Sequence, residues 1–193
     1  MRRVFLALPL AEYFLSEITS GLDRIRSQIP EVKWERPEKI HITLHFFGPE
    51  PDSSLPQISK AAGDLTRKIC PFNLSLKDVG YFPDSRKPRI IWLDVGGETQ
   101  KIFALQGELE KNFARLGFPS ESRSFHPHAT IGRVKEGRVP EARFPQLAFP
   151  STSLRRMDRI VLYQSRLEST GSQYEILETF RFSQIAPPER KPA

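Results

Sequence analysis

The chain has 193 residues, enough for one large domain or two small lobes sharing a core, and at this length folding buries about 70 % of the unfolded surface without an external staple. One cysteine, Cys70, excludes an internal disulfide and a cysteine-rich metal cluster, and it points to a reducing compartment, the cytoplasm. A formal charge of +6 favours polyanionic partners without requiring one, and no stretch approaches the 18 or so apolar residues of a membrane span.

The opening MRRVFLALPLAEYF sets two arginines before an apolar run, but Pro9 and Glu12 break the run and no small-residue cleavage site follows. We read it as a strand over Arg2 to Leu8 and then a helix over Ala11 to Gln28. A short strand about Val32 to Trp34, a strand over Ile40 to Phe47 and a helix over Leu55 to Cys70 complete the first half, with Pro30, Pro37, Pro49 and Pro51 at the joints. The second half reads as strands Phe72 to Tyr81 and Ile90 to Val95, a helix Thr99 to Leu116 and a strand Ala129 to Val134. RIVLYQSRL and YEILETFRF, joined through Ser169 to Ser172, predict a hairpin, and the Pro/Lys/Arg-rich residues 186–193 predict a disordered tail.

Two strands carry the chemistry. HITLHFFG from His41 and HPHATIGR from His126 each place a histidine two residues before a threonine, and in a strand such residues share a face. With eight threonines in the chain, a given histidine has roughly a 4 % chance of this neighbour, so two pairs among four histidines is roughly a one-in-a-hundred coincidence. The bland alternative is a pair of ordinary strand histidines. The order strand, helix, loop, His-x-Thr strand recurs in both halves, which predicts an internal duplication with two lobes facing each other.

Paired imidazoles and hydroxyls in one cleft suit phosphodiester cleavage. A neutral imidazole activates water, an imidazolium protonates the departing alkoxide, and hydroxyls with nearby cations stabilise the phosphoryl oxygens as charge builds. Histidine, with a pKa of about 6.5, fills both roles near neutrality. A zinc reading of His41 with His45 fails, because on a strand their Cα atoms stand about 13 Å apart. No GxGxxG or P-loop pattern passes through Gly96 and Gly97, and neither a GxSxG elbow nor a nucleophilic cysteine supports acyl or phosphopantetheine hydrolysis.

Strict alternation points Ile42, Leu44 and Phe46 into the core and His41, Thr43 and His45 into the cleft, so His45 is a candidate substrate contact or else an exposed strand histidine. The same rule sets Arg133 on the face opposite His128, from which only a strand end or twist brings it to the phosphate. His126, held off by Pro127, is assigned to shaping the entry. Trp34, Phe125, Tyr81 and Trp92 are candidate base-stacking residues or plain core, and the basic clusters Arg86/Lys87/Arg89, Arg123/Arg133 and Arg155/Arg156/Arg159 are candidate contacts to flanking phosphates.

The segments RVFLALPL, RPEKIHITLHFFG, PRIIWLDV, FHPHATIGR and SLRRMDRIVLYQSRL with YEIL resemble the 2H phosphoesterase superfamily nearly end to end, and within it the RNA 2′,3′-cyclic phosphodiesterases once called 2′-5′ RNA ligases. The resemblance implies an α+β fold, bilobal and duplicated, with two mainly antiparallel sheets flanked by helices around a central cleft, formed by residues 1–185. It implies His41 as proton donor, His128 as proton acceptor, and Thr43 and Thr130 as phosphate ligands, with no cofactor and no metal. The implied partner is RNA ending in a 2′,3′-cyclic phosphate, tRNA fragments among the candidates, acted on by a monomer away from membranes. His45 departs from relatives that often carry a basic residue there. The alternatives are an RNA-binding module with vestigial histidines, or a 2H phosphoesterase acting on another cyclic nucleotide, with 2′-5′ ligation as the reverse reaction.

Overall fold

A computed structural model of the chain describes residues 1–120, 123–134, 147–168 and 171–183. Residues 186–193, read above as a disordered tail, and the link at 169–170 lie outside the described residues. The elements run β1 (Arg2–Pro9), α1 (Ala11–Arg26), β2 (Val32–Trp34), β3 (His41–Glu50), α2 (Leu55–Thr66), β4 (Phe72–Phe82), β5 (Ile90–Gly97), α3 (Thr99–Arg115), β6 (His128–Val134), β7 (Arg155–Met157), β8 (Arg159–Glu168) and β9 (Gly171–Arg181). The order matches the sequence reading, with β7 added.

Each helix buries one apolar stripe. Phe14, Ile18, Leu22 and Ile25 of α1, Ile58, Ala62 and Leu65 of α2, and Ile102, Leu105, Leu109 and Phe113 of α3 recur every three or four residues and join one core. The α2 helix stops at Thr66 rather than Cys70. Lys68 and Ile69 donate to carbonyls only three residues back, and Pro71 disfavours helical backbone at the residue before it.

The described strands form one antiparallel ladder in the order β7-β4-β5-β6-β3-β1-β8-β9, with β2 paired to β6. This order is balanced about the β6–β3 junction, with β3, β1, β8 and β9 in one half and β6, β5, β4 and β7 in the other. The two sheets expected from sequence are these halves, but they are not separate, since they are joined by the single pair Ile42↔Ala129. That pair consists of the residues between histidine and threonine in the two motifs, so the halves meet at the motifs themselves. Extending this register by one residue sets His41 across from Thr130 and Thr43 across from His128. The helices cover the face into which Ile42, Leu44, Ala129 and Ile131 point, and the other face stays open as a cleft.

Candidate active site

The cleft encloses about 220 Å³ and is lined by His41, Thr43, His128 and Thr130 together with residues of β1, β8 and β9. Both histidines are held by the same device. His41 Nδ1–H donates to the Lys39 carbonyl at 2.7 Å, and His128 Nδ1–H donates to the His126 carbonyl at 2.7 Å, each two residues upstream. A carbonyl only accepts, so the proton sits on Nδ1 in the neutral ring and Nε2 is the atom available for chemistry in both halves.

Both motif strands carry a bulge just after the threonine. Opposite β1, Ala7 pairs with Thr43 and Leu6 with His45, leaving Leu44 as the extra residue; opposite β5, Trp92 pairs with Thr130 and Ile91 with Gly132, leaving Ile131 extra. Two consecutive side chains therefore turn inward, and the residue five after each histidine returns to the cleft. This corrects three sequence expectations. Phe46, placed in the core by alternation, lines the cleft, and so does Arg133. His45, a candidate substrate contact, is 2 % exposed in the core, its ring 4.4 Å from Phe47 and 4.9 Å from Phe113 and its Nδ1–H donating to Glu110 at 3.0 Å. The equivalent Gly132 leaves that space to β2, since a Cβ there would sit 2.7 Å from Val32 Cγ1 and 3.0 Å from the Trp34 ring.

The other aromatic candidates fall outside the cleft lining. Trp34 lies over Gly132 on the helical side, and Phe125 packs edge-on against Phe103 of α3 at 5.7 Å. Tyr81 packs partly buried against the core, and Trp92 stacks on Phe82 at 5.0 Å with its edge toward His126 and His128, so it backs a catalytic candidate. His126 contributes its carbonyl to His128 and its ring to Trp92, more a support than an entrance. The basic run in β7 and β8 faces away: Arg155 pairs with Glu17, and Arg159 with Glu12 and Asp158.

Alternation did not reveal several cleft residues. Lys39 donates Nζ to the Ser172 carbonyl at 2.8 Å, tying the β8–β9 hairpin to the residue whose carbonyl holds His41. Tyr174 of that hairpin packs perpendicular to His41 at 5.3 Å, with Phe5 behind both. Glu35 pairs with Arg133 at 3.4 Å. Among these only Lys39, two before a motif histidine, carried a sequence signal, by symmetry with His126.

Burial dominates the electrostatics. Removal from water lowers His41 to about 4, helped by the positive charge of His128 and Arg133 and opposed by the Lys39 carbonyl. His128 is lowered for the same first reason, with His126 and Arg133 adding to it and the His126 carbonyl opposing. Both rings are therefore neutral at neutral pH. Among the described residues no group of three histidine, cysteine, aspartate or glutamate side chains gathers as a metal site would need, and no helix is long and apolar enough to cross a membrane.

A duplicated antiparallel fold that opposes two His-x-Thr strands across one cleft is the 2H phosphoesterase architecture. The model of the 2′-5′ RNA ligase superfamily matches residues 15–168, and the chain belongs to that superfamily. It is 33 % identical over 183 residues to an RNA 2′,3′-cyclic phosphodiesterase of Methanothermobacter thermautotrophicus, covering 93 % of this chain and 98 % of that one, and 28 % identical to the one of Thermotoga maritima, covering 93 % and 95 %. Among solved structures, a Thermus thermophilus protein superposes with a TM-score of 0.76 at 26 % identity over 93 % of this chain and 97 % of that chain. Escherichia coli LigT complexed with 3′-AMP superposes at 0.74, with 24 % identity over 95 % and 99 %.

Proposed function

We propose that the protein hydrolyses 2′,3′-cyclic phosphate ends of RNA to 2′-phosphomonoesters without a metal ion. The observation that carries this reading is the symmetric pair of histidines, each fixed through Nδ1 by a carbonyl two residues upstream, with a threonine of the opposite motif across from each. Relatives of similar length named RNA 2′,3′-cyclic phosphodiesterase support the substrate class.

In the reaction, His128 Nε2 takes a proton from a water molecule as its oxygen attacks phosphorus. His41 Nε2–H gives its proton to the departing 3′ oxygen, the P–O3′ bond breaks, and the phosphate stays on the 2′ oxygen. Thr43 and Thr130 hydroxyls donate to the non-bridging oxygens, where negative charge is greatest in the transition state. Solvent supplies the missing proton: a phosphate anion between the rings opposes the burial and cationic repulsion that hold both histidines neutral, so binding favours uptake of a proton to form an imidazolium at His41. Ligation to a 2′-5′ linkage is the same displacement with the 5′-hydroxyl of a second strand in place of water: its oxygen attacks phosphorus, the P–O3′ bond breaks, and the phosphate stays on the 2′ oxygen. The single cysteine fits work in a reducing cytoplasm on RNA fragments, by a monomer.

The test is the initial rate on an oligoribonucleotide ending in a 2′,3′-cyclic phosphate, with EDTA and with added Mg²⁺ or Zn²⁺. Equal rates in chelator and metal, with turnover lost in His41→Ala, support the reading. Activity that requires an added metal contradicts it.

A further inference from the structure

We infer that the cleft holds a second phosphate subsite at Arg3, for the phosphodiester that joins the cyclic-phosphate nucleotide to the one before it; the inference rests on the reading of the cleft as an RNA-end site. Three cationic side chains line the cleft, and two have protein partners: Arg133 pairs with Glu35, and Lys39 Nζ donates to the Ser172 carbonyl. Arg3 differs. Among the described residues it has no carboxylate within salt-bridge distance and no side-chain hydrogen-bond acceptor, while its neighbour Arg2, on the other face of β1, pairs with Asp52.

The Arg3 guanidinium lies over the Phe46 ring at 5.2 Å, which steadies its plane and leaves its N–H edges for an anion. It is exposed at the rim, beside Ser165, its partner on β8, and Leu167, which is 73 % exposed. A large apolar side chain held open beside an unneutralised arginine suits a phosphate followed by a base.

The position fits one nucleotide of travel. Arg3 is four residues along β1 from Ala7, the partner of Thr43, so their Cα atoms are separated by about 13 Å, and the arginine side chain spans part of that distance. At the opposite end of the cleft the Glu35 carboxylate offsets Arg133, and the Lys39 ammonium is turned to the Ser172 carbonyl, so among the described residues Arg3 is the cleft cation whose charged edge faces no protein acceptor.

The subsite is tested by comparing kcat/KM for a tetranucleotide ending in a 2′,3′-cyclic phosphate with that for the 2′,3′-cyclic mononucleotide, in the parent and in Arg3→Gln. The parent is expected to favour the tetranucleotide, and Arg3→Gln to reduce that preference by about tenfold, with Arg3→Lys between them. The log–log salt slope for the tetranucleotide should also fall by about one counterion's worth. A preference unchanged in Arg3→Gln, or absent from the parent, overturns the subsite. If the parent turns over neither substrate, the phosphodiesterase reading fails instead. The same ratio, read from equilibrium binding of the tetranucleotide 2′-phosphate and the 2′-mononucleotide, then decides the subsite by itself.

Discussion

His41 and His128 present the same Nε2 atom, held by the same carbonyl device, yet the proposed reaction asks one to give a proton and the other to take one. Their surroundings distinguish them: His41 stands against Phe5 and Tyr174 and is lowered to about 4, while His128 stands against Phe82 and Trp92. Replacing either by alanine should lower kcat by about 10²- to 10⁴-fold with folding retained by circular dichroism, and Thr43→Val or Thr130→Val by about 10- to 10³-fold. A proton also reports the site. In the free protein His41 should titrate near 4 and His128 below 6.5, and saturation with a 2′-nucleotide should move both upward when followed by imidazole NMR. Because the unfolded chain takes up these protons first, near 6.5, stability should fall as pH drops from there toward 4, and bound nucleotide should reduce that loss. An unliganded His41 titrating at or above 6.5 would contradict burial as the dominant influence.

The motif strands show how far alternation carries. It places His41, Thr43, His128 and Thr130 on one face and Ile42 and Ala129 on the other, and fails two residues after each threonine, where a bulge has turned two neighbours inward. In β6 Gly132 hinted at this, since glycine inside a strand marks a bulge or a close approach; in β3 the glycine, Gly48, lies four residues beyond the bulge at Leu44, and His45 reads as polar although it is core. Its burial between Phe47 and Phe113 makes it a structural residue. His45→Ala should therefore cost about 2–4 kcal/mol in denaturant unfolding through cavity and lost hydrogen bond, while kcat/KM falls far less than for His41→Ala. Gly132→Ala, forcing a methyl against Val32 and Trp34, should cost about 1–3 kcal/mol by the same assay. Parent-like stability in both variants would remove the inward packing from the account.

At the scale of the molecule, duplication builds a symmetric centre and the additions around it break the symmetry. The recurring strand–helix–strand order made the two halves legible, but their union through one residue pair was not, because register between distant strands leaves no local pattern. Nor did hydropathy show that the β8–β9 hairpin reaches the cleft, or that Lys39 ties it there through Ser172. Lys39→Met should free the hairpin tip, seen as faster amide exchange near Ser172 and Tyr174, and lower kcat roughly 3- to 10-fold. Unchanged exchange would show that the hairpin holds itself.

The most direct test of the two-histidine hydrolysis is phosphorus NMR of the product formed from 2′,3′-cyclic-phosphate RNA in ¹⁸O-enriched water with EDTA. The account predicts a 2′-phosphomonoester carrying one ¹⁸O with the parent protein and no comparable product with His41→Ala or His128→Ala. A 3′-phosphate product, or undiminished turnover by either variant, would contradict it.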